Sequence, residues 1–253
     1  LTFLFFSFMG FSQNQTSIIW EDTISVAPGI IYGNTRPRIT LNRQNEPVVI
    51  FGKNGTGAIH AAKFNGSDFD TPVQLTPPGF TSYLANWTGA EIDGFGDTIM
   101  VVFKQDPLSE GHVYSVRSMD GGMSFSDTMR TDSHTAGVAW LPNIAFDNYG
   151  DPSVIYMAHD PTWVNPRYVV SHSGDGGISF NPEQEVTSNI PDEACDCCPA
   201  TIAKKDNLQA LVYRNNESGT RDMIAVKSQD GGQTFPNYEN IDQLFWVINQ
   251  CPS

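Results

Sequence analysis

Apolar and polar positions alternate in short runs along most of this chain, and no stretch carries the three-and-four spacing of an amphipathic helix. The alternation is clearest in AIHAAKF (58–64), HVYSVRS (112–118), RYVVSHS (167–173) and DMIAVKS (222–228). Each run follows two apolar stretches set about a polar turn: PRITLNRQNEPVVIF (37–51), AEIDGFGDTIMVVF (90–103), PNIAFDNYGDPSVIY (142–156) and PATIAKKDNLQALVY (199–213). Turns rich in Asn, Asp and Gly between β-rich stretches predict hairpins, and the alternating run predicts a third strand beside each.

Three of the four third strands run into a nearly identical phrase: SMDGGMSF (118–125), SGDGGISF (173–180) and SQDGGQTF (228–235). The phrases end at Phe125, Phe180 and Phe235, a period of about 55 residues. A weaker copy, FNGSDF (64–69), precedes them by one period. A fixed period of this size signals a propeller, solenoid or array. With a short strand after each phrase, one period holds about four antiparallel strands, which makes one propeller blade. Four blades fit between about residues 36 and 240, and 246–253 reads as the opening of a fifth. Propellers close on themselves to remove exposed edges. Four blades and a fragment are therefore expected to be a propeller, spanning residues 17–253, that is incomplete at its C-terminus.

The phrase has a mechanical reading. Gly121-Gly122, Gly176-Gly177 and Gly231-Gly232 permit positive φ in a tight turn. Asp120, Asp175 and Asp230 accept backbone N–H groups across it, and Ser118, Ser173 and Ser228 bond locally. Phe125, Phe180 and Phe235 anchor the turn. One carboxylate per loop is too few for calcium, which wants six to eight oxygens.

S-x-D-G-G-x-[ST]-F resembles the Asp-box of sialidases and of the wider bacterial neuraminidase repeat group. The resemblance spans most of the chain. It implies an all-β, six-bladed sialidase-like propeller with the boxes on the rim opposite the active-site face, and a glycoside hydrolase of the exo-α-sialidase type. Family chemistry uses three arginines on the substrate carboxylate, a tyrosine nucleophile with a glutamate partner, and an aspartate acid/base. Arg38-Ile39 lines up with the first arginine motif, with Thr40 where that motif has proline. YRNNESGTRD (213–222) offers Arg214, Glu217 and Arg221 as further arginines and the glutamate. The loop after Lys53 holds no carboxylate before Asp68, so the acid is expected to be missing there. The family's tyrosine belongs to a last blade that this sequence does not hold.

Charge narrows the partners. The chain has 253 residues, 14 basic against 28 acidic side chains and a formal net charge of −14. Such a surface repels phosphate backbones, so nucleic acid is excluded as a general partner. Residues 1–12 open with a short apolar run ended by polar residues, the pattern of a partial secretory signal peptide rather than a membrane span. A secreted or periplasmic bacterial protein is expected, monomeric at full length, with a glycan or glycoprotein ligand.

Export makes the four cysteines informative. Cys195, Cys197 and Cys198 sit in EACDCCPA, and Cys251 lies one period on, in NQCPS. An even count in an oxidising compartment favours disulfides, and a Cys195–Cys198 or a Cys197–Cys251 bridge is the easier geometry. The alternative is a soft-metal site for copper or zinc; otherwise no cofactor is expected. The cysteine cluster, the 213–222 loop and W-x-I-x-x-C-P resemble a secreted bacterial subgroup of sialidase-like proteins. Two functions stay open: a hydrolase acting on glycans, or a non-catalytic propeller binding a glycan, a protein or a soft metal through the face that carries the cysteines.

Overall fold

A computed structural model describes residues 22–27, 36–53, 55–242, 244–245 and 247. The expected signal segment and Cys251 lie outside the described residues. The described chain is all strand and turn. The first sheet holds β1 (Arg38–Leu41), β2 (Pro47–Lys53), β3 (Ala58–Lys63) and β4 (Val73–Gln74). The second holds β5 (Glu91–Phe95), β6 (Thr98–Lys104), β7 (Val113–Ser118) and β8 (Met129–Arg130). The third holds β9 (Val138–Phe146), β10 (Pro152–Asp160), β11 (Val164–His172) and β12 (Gln184–Glu185). The fourth holds β14 (Thr201–Lys205), β15 (Leu208–Asn216), β16 (Met223–Ser228) and β17 (Asn237–Asn240), with β13 (Glu193–Ala194) added to the far end of β15. All pairing is antiparallel and, β13 apart, follows chain order.

The first strands of successive sheets stand side by side: β5 packs between β1 and β9, and β9 meets β14. Phe146 N–H donates to Asp93 Oδ2 across one such joint at 2.8 Å, and burial pushes that carboxyl up. The second strands explain the long apolar runs. On β6, Val101 and Phe103 pack with Ile50 and Ile59 of the first sheet, while Met100 and Val102 pack with Ile144 and Val154 of the third. On β10, Tyr156 faces the second sheet and Ile155 and Met157 face the fourth. A strand covered on both faces must be apolar at every position. Each fully buried aliphatic or aromatic side chain there is worth about 1.5–3 kcal/mol.

The strands of the third sheet are longer than the pattern predicts. β9 begins at Val138, not near Pro142, because a bulge at Leu141 and Pro142 interrupts the register opposite Tyr156. Leu141 has φ 50°, and the bulge lets a proline sit in a strand without donating.

The repeated phrases form three turns that share one set of bonds. Ser118 Oγ donates to Asp120 Oδ1 (2.8 Å) and accepts from Gly122 N–H (2.8 Å), while Ser124 N–H donates to Asp120 Oδ1 (2.9 Å). Ser173, Asp175, Gly177 and Ser179 repeat those bonds at 2.7, 2.8 and 2.9 Å. Ser228, Asp230, Gly232 and Thr234 do so at 2.6, 2.8 and 2.9 Å. These hydroxyl and amide donors hold the carboxyls of Asp175 and Asp230 well below the usual range. Phe125, Phe180 and Phe235 pack into the layers between sheets. In the weaker copy Asn65 replaces the aspartate as organiser, its Oδ1 accepting Ser67 and Asp68 N–H, and Phe64 bridges Phe69.

Gly121 and Gly231 donate to Asp97 O and Asn207 O, and Gly176 to Asp151 Oδ1. The repeated turns therefore sit with the first-to-second-strand turns at one end of the sheets. The second-to-third-strand loops and the connectors between sheets gather at the other end.

Candidate functional site

That second end carries two clefts joined by an aromatic cluster. The first, about 390 Å³, lies between Lys53 at the end of β2, Tyr83 in the connector from β4 to β5, and Asp106 in the β6–β7 loop. Backbone bonds stitch the connector to both sheets: Ser82 N–H to Gly57 O, Tyr83 N–H to Lys104 O, and Asp106 N–H to Thr81 O. Gly57 has φ +64°, and a Cβ there would lie 2.5 Å from Thr81 Cγ2, so the close approach requires glycine. Burial, then the Asp106 charge, pushes the Tyr83 phenol up, which keeps it a neutral donor. Behind the cleft Lys104 is buried, and burial brings its ammonium down to about 8 against the pull of Asp132 and Asp106. The sequence offered no acid in the loop after Lys53; a carboxylate reaches the same cleft from the neighbouring sheet.

Trp140, buried on β9, is the hub. Its ring meets Trp87 and Trp163 edge to face at 5.7 Å, Tyr83 at 6.4 Å and His159 at 6.2 Å. Trp163 sits in the tight β10–β11 loop at φ 63°, between Thr162 at 71° and Asn165 at 57°. Three non-glycine residues in the left-handed region cost about 1–3 kcal/mol each, and such strain persists only where the surroundings hold it. Asn165 Nδ2 donates to Asp160 Oδ2 at 2.9 Å, and Arg167 pairs with Asp160 at 2.9 Å. The Trp163 indole remains 40% exposed. His159 is fully buried beside Trp140 and Trp163, and burial pushes its imidazole down, so it is neutral.

The second cleft, about 210 Å³, is lined by Trp87, Cys197, Cys198, Pro199, Arg214 and Met223. Arg214 and Met223 face each other in the β15–β16 register. Cys195 and Cys198 form a disulfide. The Sγ atoms of Cys195, Cys197 and Cys198 lie within 4.8 Å of one another. A bridged pair offers no thiolates, so in this oxidised form the cluster is not the donor set that copper or zinc takes.

The sequence-derived residues divide. Arg214 lines the second cleft, and Arg221 Nη1 lies 3.0 Å from Cys195 Sγ. Glu217 is exposed in a turn closed on Thr220, and Thr220 bridges Val247. Arg38 spends its guanidinium fork on Glu91, with Nη2 to Oε1 at 2.8 Å and a second bond from Nε to Oε2. That pair raises the arginine further and ties β1 to β5, while Arg36 binds Trp87 O. Tyr213 is buried and its phenol pushed up by burial, so it is a core residue. Glu91, Asp106 and the three tryptophans escaped the sequence reading. Only Asn86-Trp-Thr and Pro161-Thr-Trp, aromatics in turn-rich segments, hinted at them.

No protein-family model matches the chain, and no curated protein matches it by sequence. Solved structures do match in shape. A protein of unknown function from Dyadobacter fermentans aligns at 15% identity and TM-score 0.59, over 81% of this chain and 68% of that one. The α-L-arabinofuranosidase Arb93A of Fusarium graminearum aligns at 12% and 0.58, over 82% and 66%. A Hadza microbial sialidase aligns at 11% and 0.54, over 79% and 45%. The fold is a β-propeller. Its four described sheets are blades, with the repeated turns on one rim and the clefts on the other. The chain spans from under half to about two thirds of the length of these three structures. Among the described residues no helix is long and apolar enough to cross a membrane.

Proposed function

We propose that this propeller is an exported bacterial sialidase-like protein that acts on glycans through the rim carrying the two clefts. The observation that carries the reading is Trp163, held out at positive φ and packed on Trp140, whose ring also meets Tyr83 of the carboxylate-bearing cleft and Trp87 of the arginine-bearing one. Flat apolar faces flanked by a few convergent polar groups are what a sugar ring needs. The Arg214 guanidinium suits a planar carboxylate, so an acidic sugar is the preferred ligand class. Asp106 replaces the missing acid as proton donor to the leaving oxygen, with Tyr83 beside it. The Asp-box-like turns and neighbours named as a sialidase, an arabinofuranosidase and a ulvan lyase support this reading. The disulfide is compatible with export.

Binding without catalysis is the second reading, and Arg38 favours it. A guanidinium held by Glu91 is not available to clamp a substrate. One experiment separates the two: hydrolysis of fluorogenic sialosides, uronides and arabinofuranosides, run beside glycan-array binding. A hydrolase loses turnover in Asp106→Asn while keeping affinity, and loses affinity in Trp163→Ala or Arg214→Ala. A binder shows no turnover but the same losses of affinity. Folded protein that neither binds nor cleaves any glycan overturns both.

A further inference from the structure

The cysteine turn has features that a stabilising bridge does not need. Cys195 and Cys198 are three positions apart, so their bond closes a very short loop and constrains the unfolded chain little. The turn is already fixed by other means. Cys195 N–H donates to Arg214 O at 2.8 Å, Cys198 N–H to Cys195 O at 3.2 Å, and Tyr168 Oη–H to Cys198 O. Residues Glu193 and Ala194 just before it pair with Asn216 and Asn215 of β15.

The two sulfurs are placed differently. Cys195 is fully buried, and its Sγ takes the Arg221 guanidinium at 3.0 Å. Cys198 is 8% exposed, and that remaining surface lines the 210 Å³ cleft beside Trp87 and Pro199. One sulfur faces incoming reagent, and the other faces a fixed cation able to hold the negative charge of a departing thiolate. Cys197 Sγ, itself bridged, stands 3.9 Å from Cys195 Sγ.

We infer that Cys195–Cys198 is a thiol–disulfide exchange site whose co-reactant is a thiol or dithiol entering the second cleft. The incoming thiolate attacks Cys198 Sγ and forms a mixed disulfide. The Sγ–Sγ bond breaks, and its electron pair leaves on Cys195 Sγ beside Arg221. A second thiolate from the co-reactant attacks the co-reactant's own sulfur in the mixed disulfide and releases Cys198. Of the two protons from the co-reactant thiols, one ends on Cys198 and the other passes to solvent, leaving Cys195 a thiolate paired with Arg221. The co-reactant departs as its disulfide, oxidised by two electrons, and the protein is reduced by two.

The test is equilibration of the folded chain, with chelator present, against a graded series of reduced and oxidised glutathione. Thiols are trapped by alkylation, and the peptide holding Cys195 and Cys198 is quantified by mass spectrometry. The pair is expected to pass from oxidised to reduced within the series while circular dichroism stays native. Arg221→Gln is expected to need roughly tenfold more reducing conditions, the equivalent of about one unit in thiolate stabilisation. Arg221→Lys, which keeps the cation, is expected to titrate near the parent. A pair that stays oxidised throughout the series, or is reduced only as the protein unfolds, overturns the inference in the parent chain alone. Parent and Arg221→Gln curves that coincide overturn it as well.

Discussion

The two rims of this propeller are made by opposite rules. On one, three turns repeat the same bonds within 0.2 Å, from Ser118–Asp120 to Ser228–Asp230. On the other, no loop resembles the next: Asp106, Trp163 and the cysteine turn each occur once. A task that recurs in every blade is written in a recurring phrase. A site assembled from several blades must draw a different residue from each.

The contrast is tested hardest at a repeated glycine. Gly232 and Gly219 both have positive φ, at +90° and +93°. A Cβ on Gly232 would lie 2.3 Å from His172 Cε1, whereas nothing lies within 4 Å of one on Gly219. Gly232→Ala is expected to cost about 3–5 kcal/mol, backbone strain plus overpacking, and Gly219→Ala about 1–2 kcal/mol, strain alone. Urea unfolding measures both, and equal losses would show that the turn does not depend on close approach to its neighbour.

On the other rim, Trp140→Ala is expected to remove about 3–5 kcal/mol as a core deletion. Trp163→Ala is expected to change stability by about 1 kcal/mol or less while losing ligand. Were the exposed indole the more stabilising of the two, the cluster would be core and the proposed site would fall.

A smaller effect lies between the rims, where His134 Nδ1 meets Glu183 Oε1 at 2.9 Å and Tyr156 donates to Glu183 Oε2. The bond to Glu183 raises His134 above 6.5, so its contribution is full below 6.5 and fades as pH rises through the folded value. Burial pushes Glu183 up, but the bonds from His134 and Tyr156 prevail and hold it below 4.5. Its contribution is full above 4.5 and fades as pH falls through the folded value. The pair therefore stabilises most between about pH 4.5 and 6.5, and Glu183→Gln is expected to lower melting temperature most inside that window and to lessen its fall on either side. An unchanged profile would remove the pair from the account. The smallest change is expected from Arg38→Lys, about 1 kcal/mol, because lysine keeps the charge but loses the paired fork to Glu91.

The architecture was legible because each blade repeats a pattern with a physical cause: alternation in β7 and β16, unbroken apolar runs in β6 and β10, and Gly-Gly turns between strands. The site was legible only in part. Arg214 on β15 and Arg221 in the β15–β16 loop reach the cysteine turn together, an outcome that spacing along the chain anticipates. Arg38 could not be read the same way, since Glu91, its partner, stands 53 positions away on another blade. Asp106 was missed for the same reason: it fills the cleft of one blade from the loop of the next. Pairing within a blade is local and leaves a pattern, whereas meeting between blades does not.

The second glycine of each repeated turn meets a different neighbour. Gly122 abuts Val48, Gly177 abuts Met100 and Gly232 abuts His172, in each case on the preceding blade. The second glycine asks of that neighbour room, and the side-chain bonds that reach the turn from there differ: Arg117 Nη1 donates to Gly176 O at 3.0 Å, and His172 Nε2 lies 2.9 Å from Gly232 O. A gene segment encoding one blade can thus be copied in tandem wherever the preceding blade leaves its second glycine room, the bonds around that glycine being free to change. Lengthening or shortening such an array by whole blades then demands little co-adaptation at this rim beyond that room.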